Sequence, residues 1–410
     1  MSKENLNITL RSLTFAILKV SLAGLFLFPV ISNSLSGFFV LVFGVFAMIH
    51  FLINEKTSPK KQDIVVLLLF ALIPVVYTSE LLVAADISYV WSVAQRKMGL
   101  LFIPLGFFLL SYSQVKIVWR NYLNLFVFAV VGLMFYVCVY ILLKGLNYQY
   151  IESGGFAYGL RTFIEEIARL HPTYFGMMLC FALLYIVSLV LKTSSNILKT
   201  LGVLLSLFIF GFIMLLASRI VIISGLVGFL IISLIELKTI KKRLLFLTVA
   251  GIVMVTSIVL VPSVHERVSE LMNDNVNSTS IRYSIVDCST ELVKSNWLLG
   301  ASIENTQVLL DDCYENKGAS LILKGLNSHN EYLNIILTKG VFLLVSFLGL
   351  IFVLFVRARG NLLFIIFLSI FTIVCLTENL LERQMGVFFF SLFASAFYFL
   401  ETSSEKTKID

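Results

Sequence analysis

The amino-acid sequence predicts an all-α polytopic membrane protein with about 12 transmembrane helices, and three observations carry that prediction. Hydrophobic residues make up 59% of the 410 and charged residues 13%, against roughly 25% charged in an average soluble domain. Apolar runs of about 18 residues or more recur from end to end, each long enough to cross a hydrocarbon core of roughly 30 Å. The short breaks between runs carry lysine and arginine on alternate connections, the asymmetry that orients helices in a bilayer.

The runs fall at 13–31, 35–53, 63–78, 98–112, 121–143, 172–191, 199–217, 219–236, 243–262, 331–356, 361–376 and 384–400. The first reads as a span, since no small-residue cleavage site marks it as a removable leader. Only Arg219 separates the seventh from the eighth. One helix of about 36 residues would measure roughly 54 Å at 1.5 Å per residue, too long for one crossing. Two spans joined by a tight turn at Ser218 and Arg219 are expected, which puts the guanidinium at a membrane face. Mid-bilayer it would cost at least about 2.5–3.5 kcal/mol.

With both termini cytoplasmic, Lys56, Lys60 and Lys61, Lys116 and Arg120, Lys192 and Lys199, Lys238 to Arg243, and Arg357 and Arg359 all fall on the inner side. The net charge of +7 is then a topology signal, and nucleic acid is not an expected partner. The chain divides into 1–262 with nine helices, a large external loop at 263–330 between helices 9 and 10, and 331–410 with three helices and a cytoplasmic tail. Two smaller external segments are expected near 79–97 and 144–171. Within the first, Tyr89 and Trp91 suit the membrane interface. In the large loop, SIRYSIVDCSTELVKS has the pattern of a short amphipathic helix.

Cys138, Cys180 and Cys375 lie inside spans and read as packing residues. Cys288 and Cys313 share the external loop, where an oxidising compartment would permit a disulfide; the sequence leaves that pairing open. No CxxC or HExxH spacing occurs, and the Asp311-Asp312 doublet lacks a third ligand. No metal site and no cofactor are expected. The 37 phenylalanines suit lipid-facing surfaces.

Cationic residues on the outer side are more informative. Arg219 sits between two spans, Arg282 in the large loop, Arg161 and Arg169 ahead of the sixth span, Arg96 and Lys97 ahead of the fourth, and Arg383 ahead of the last. Any one of them could be a boundary charge snorkelling to water. Arg219 has almost no loop to escape into and calls for a bound partner. Several such groups suit a diphosphate on a lipid tail, because the planar guanidinium fork pairs with phosphate oxygens. Among four histidines, His50 and His265 read as structural, and His171 precedes a proline at a helix start. His329, in NSHNEYLNIILTKG, has two readings. It is a neutral imidazole bonded to backbone near a helix start, or a general base whose ordinary pKa of about 6.5 suits proton transfer near neutral pH. Nearby acidic alternatives are Glu331, Glu378 and Glu382.

Four stretches together resemble the O-antigen ligase and polymerase superfamily of bacterial envelope glycosyltransferases: LLASRIVIISGLVG, STSIRYSIVDCSTELVKSNWLLGAS, SHNEYLNIILTKGVFLLVSFLGL and TENLLERQMGVFFF. RLHPTYFGMMLCFALL is also similar to the segment ahead of the family's middle span. The family shows a loop arginine, a Pro/Leu-Gly-x-Gly-like turn, and a histidine-asparagine pair opening a helix. Here the turn reads Leu299-Gly300-Ala301-Ser302 and departs at the second glycine.

The resemblance implies His329 as the base that deprotonates the acceptor hydroxyl. It implies Arg219 and Arg282 as ligands of an undecaprenyl diphosphate leaving group, with Arg169, Arg161 and Lys97 as further diphosphate or glycan contacts. Asn330, Glu378 and Glu382 would support the acceptor. It implies metal-independent, inverting transfer of a glycan from undecaprenyl diphosphate to lipid A core, at the periplasmic face of a bacterial inner membrane and among membrane lipids. A polymerase that uses another carrier-linked glycan as acceptor is the alternative. A lipid-linked oligosaccharide transporter is the second, although no internal repeat of the kind transporters carry is visible.

Overall fold

The computed structural model describes residues 3–54, 57–113, 117–145, 159–166, 169–260, 278–318 and 323–400. Lys56, Lys116 and His265 lie outside them. Among the described residues every regular element is helical. In chain order these are α1 (Lys3–Phe26), α2 (Asn33–Ile53), α3 (Lys61–Ser79), α4 (Ile87–Lys97), α5 (Gly99–Ser111), α6 (Trp119–Lys144), α7 (Pro172–Lys192), α8 (Asn196–Leu215), α9 (Arg219–Glu236), α10 (Ile240–Leu260), α11 (Ser278–Asn296), α12 (Ile303–Asn316), α13 (Glu331–Arg357), α14 (Leu362–Val374) and α15 (Gln384–Ser395). A further helical stretch covers 159–166.

The protein is a multi-pass membrane protein. Among the described residues nine helices are long and apolar enough to cross a bilayer. The twelve spans expected from the sequence include in addition α10 and the shorter apolar helices α14 and α15. The turn argued from Arg219 is present, with α8 ending at Leu215 and α9 beginning at Arg219. The expected external segment 79–97 is more regular than its polarity suggests. Its second half is α4, which leads through Met98 into α5 as one apolar stretch, Ile87–Ser111. Tyr89 and Trp91 on it are exposed. The amphipathic stretch forms α11, and Cys288 on α11 is disulfide-bonded to Cys313 on α12.

The helices form two compact units. The first comprises residues 1–126, 283–358 and 378–410. Its core is aromatic: Phe393 of α15 packs edge-on to Phe26 at 5.5 Å and Phe126 at 4.7 Å, while Phe390 faces Phe70 at 5.7 Å. Many phenylalanines are thus interior, contrary to the expectation that they face lipid. Lipid tails solvate apolar side chains as well as a protein interior does, so helices associate through van der Waals fit and ring geometry. The second unit comprises residues 127–282 and 359–377. Its helix α7 is buried at each of its first fourteen residues. Gly225 and Gly228 let α9 approach α7, since a Cβ on Gly228 would lie 2.2 Å from Leu184.

Helix α13 is interrupted. Gly340 has φ 77° and ψ −178°, a region open essentially to glycine alone. The turn after α11 docks into the break: Val341 N donates to Trp297 O at 2.8 Å, Ala301 N to Leu337 O at 2.6 Å, and Ser302 N to Thr338 O at 3.2 Å. Backbone groups freed by the interruption are therefore paired, as they must be away from water. Ser302, where the family resemblance leads one to expect glycine, has φ 79° and ψ 165°, which strains any residue with a Cβ. Ser302→Gly should stabilise the protein by about 1 kcal/mol. Strain relief of roughly 1–3 kcal/mol outweighs the looser unfolded chain and the weakened cap on Asn305. A melting temperature in detergent that stays level or falls would contradict this.

Candidate functional site

The structure distributes the sequence-selected residues over both units. His329, Asn330, Lys97, Glu378 and Glu382 belong to the first, and Arg161, Arg169, Arg219 and Arg282 to the second.

In the first unit, His329 ends a short polar turn that opens α13. Its φ is 44°, a left-handed conformation in which histidine is found more often than most residues. The turn is held by its own side chains. His329 N donates to Asn327 Oδ1 at 3.1 Å, Ser328 Oγ to Asn330 O at 3.1 Å, and Leu333 N to Asn330 Oδ1 at 3.0 Å. Asn330 is therefore the N-cap of α13. Ser328 Oγ also meets the Asn379 side chain, tying the histidine turn to the 378–382 segment. The imidazole is half-buried.

Beneath the turn lies a buried charged cluster. Lys97 Nζ sits 2.6 Å from Glu382 Oε1 and donates to Leu381 O at 2.6 Å. Asn334 Nδ2 donates to the same Glu382 oxygen at 2.9 Å, and Leu381 N donates to Glu331 Oε2 at 2.8 Å. Burial opposes ionisation of Glu382, yet Lys97, Arg96 and Asn334 together hold its carboxyl below the usual value. Lys339 pairs with Glu80, whose Oε1 accepts Ile303 N at 2.6 Å. Both ammonium groups lie over the Tyr77 ring, at 4.7 and 5.0 Å.

This arrangement corrects the expectation for Lys97. Its side chain is 1% exposed and its ammonium is committed to Glu382, so it does not reach a diphosphate. Removing it would leave a buried carboxylate uncompensated, at a cost of roughly 3–5 kcal/mol. Lys97 fixes the 380–382 turn against α4. Glu80, Lys339, Asn334 and Tyr77 were missed in the sequence. A signal existed for Lys339, which stands eight residues inside an apolar run, where an ionisable side chain requires a partner.

In the second unit, Arg161, Arg219 and Arg282 line one cavity of ≈ 150 Å³ together with Thr173, Ala217, Ser218 and Ile220. Three chain segments far apart in sequence converge there. Arg219 opens α9 after Ala217, whose φ of 51° makes the sharp turn from α8. The positive end of the α9 dipole adds to the three guanidiniums. Thr173, in the first turn of α7, supplies a hydroxyl. All three arginines are half-buried, so a ligand can reach them and solvent screens them less than surface charges. Three guanidiniums and a hydroxyl around so small a volume suit a compact anion. Arg169, the fourth expected ligand, is exposed and does not line it. No cluster among the described residues has the donor set of a metal site.

Residues 203–348 match the family model for O-antigen ligase, Wzy_C. That stretch is similar to an O-antigen ligase domain. The superfamily carries glycosyltransferase-type ligase or polymerase activity on lipid-linked glycans. The matched stretch begins within α8 and ends within α13, so it contains Arg219, Arg282, His329 and the glycine break at Gly340. Arg161, Lys97 and Glu382 lie outside the matched range. No curated protein matches the chain.

Proposed function

We propose that the protein transfers a glycan from undecaprenyl diphosphate to an acceptor hydroxyl at the periplasmic face of the inner membrane, with lipid A core as the acceptor. The convergence of Arg161, Arg219 and Arg282 on one small cavity is the observation that carries this reading. Guanidiniums pair with diphosphate oxygens through two parallel hydrogen bonds. As the anomeric C–O bond breaks, negative charge grows on the departing diphosphate, and fixed cations stabilise it more in the transition state than in the ground state. His329 removes the acceptor proton as the hydroxyl oxygen attacks the anomeric carbon from the opposite face. The new bond is therefore inverted. Asn330, Glu378 and Glu382 support the histidine turn and the acceptor side, and Arg169 guides the glycan from its exposed position.

The test is a reconstituted mixture of purified protein, carrier-linked glycan and lipid A core. We expect glycan-capped lipid A without any ion gradient, and a fall of about 10²-fold or more in rate for Arg219→Ala or Arg282→Ala. Extension of the carrier-linked glycan alone would make the protein a polymerase using the same donor. Movement of donor across vesicles with no new glycosidic bond would make it a transporter.

A further inference from the structure

A groove of ≈ 620 Å³ runs along α2 in the first unit, distinct from the clusters described above. Its walls come from α2, the α4–α5 corner and the start of α15. Polarity changes along its length. At one end stand Asn33, Gln95, Arg96 and Gln384; towards the other, Val40, Leu41, Phe102 and Phe388. From Asn33 to Leu41 the helix runs about 12 Å at 1.5 Å per residue, enough to lead from an interfacial level into a hydrocarbon zone. Its open side is flanked by the exposed rings of Phe38 and Trp91. Arg96 is the one charged side chain among the described residues that line it. Its Nε donates to Ser92 O at 2.9 Å, which orients the guanidinium at the groove wall. The N-terminal ends of α2 and α15 also lie at this polar end, adding partial positive charge there.

We propose that this groove holds an anionic glycerophospholipid of the surrounding membrane, one chain lying between α2 and α5 and the head-group phosphate on Arg96. An apolar-walled cleft opening sideways into a bilayer is filled by lipid tails, and the single cation at its polar end selects a negative head group. The amides of Asn33, Gln95 and Gln384 supply hydrogen bonds to the remaining head-group oxygens, although Gln384 Nε2 already donates to Asn33 O at 2.9 Å. The groove is joined to the buried cluster through α4, because Arg96 precedes Lys97, whose ammonium fixes Glu382. Lipid on Arg96 therefore braces the helix that positions the 380–382 turn. This proposal stands independently of the glycosyl-transfer reading.

The experiment takes the full chain, delipidated in detergent, and titrates it with phosphatidylglycerol or phosphatidylethanolamine under native mass spectrometry. Wild type should retain phosphatidylglycerol roughly tenfold more tightly. Arg96→Gln should bring it to the phosphatidylethanolamine level. Gly37→Phe should displace both lipids, since a Cβ at Gly37 meets only Gln384, at 3.8 Å, and a ring would occupy the groove. Equal retention of the two head groups by wild type would overturn the proposal, as would undiminished phosphatidylglycerol binding in either variant that melts like wild type. Displacement of bound phosphatidylglycerol by an equimolar prenyl phosphate would also overturn it, because the groove would then belong to the donor. Should Arg96→Gln fail to fold, the head-group comparison and Gly37→Phe decide.

Discussion

Gly340→Ala is expected to destabilise the protein by roughly 4 kcal/mol or more, enough to abolish recovery of folded material. A Cβ at this position would stand 2.2 Å from Leu298 O, a backbone atom that cannot rotate away as a side chain would. The φ of 77° adds strain of roughly 1–3 kcal/mol for any L side chain. Relief requires the 297–302 turn to withdraw, which breaks three backbone hydrogen bonds worth about 1 kcal/mol each. The same helix supplies the control. A methyl group on Gly349 would meet nothing within 4 Å, so Gly349→Ala should melt at or slightly above the wild-type temperature, alanine being the better helix former. If Gly340→Ala and Gly349→Ala yield equally stable protein in detergent, the interruption is not a fixed feature of α13.

Substitution of His329 should leave the fold intact and remove glycosyl transfer. Loss of a general base lowers rates by about 10²–10⁴-fold. His329→Asn is the cleaner variant, since asparagine tolerates the left-handed backbone found at φ 44° and cannot take up a proton in this pH range. His329→Ala removes the imidazole and adds modest backbone strain. Both should melt within a few degrees of wild type, because the side chain is half-buried and its turn is held by Asn327, Ser328 and Asn330. Full transfer activity in His329→Asn would remove the histidine from the mechanism. Loss of activity together with a lowered melting temperature would reassign it to structure.

The membrane-spanning character was legible because its signal is local. Uninterrupted apolar runs and the lone arginine at 219 each constrain a few adjacent residues, and the α8–α9 turn follows from length alone. The three-arginine cavity was legible in part. Arg219 and Arg282 stood out by depth and resemblance, whereas nothing local in the sequence separates Arg161, which lines the cavity, from Arg169, which does not. The buried cluster was hidden for the opposite reason. Lys97 meets Glu382 285 positions away, and Lys339 meets Glu80 across 259. No window of sequence contains both partners, and a lysine before an apolar run looks the same whether it faces phosphate or pairs inward. The break in α13 was equally concealed. Glycines 300 and 340 look ordinary until the two backbones touch.

The bond between Cys288 and Cys313 bears on geography. Disulfides persist chiefly in oxidising compartments, which agrees with the periplasmic placement proposed for the α11–α12 hairpin. That hairpin holds Glu80 through Ile303 N, and Glu304 holds the backbone of Ala85 and Asp86. The rim of the first unit where α3 ends and α4 begins is thereby tied to that hairpin, and the two must share one side of the membrane.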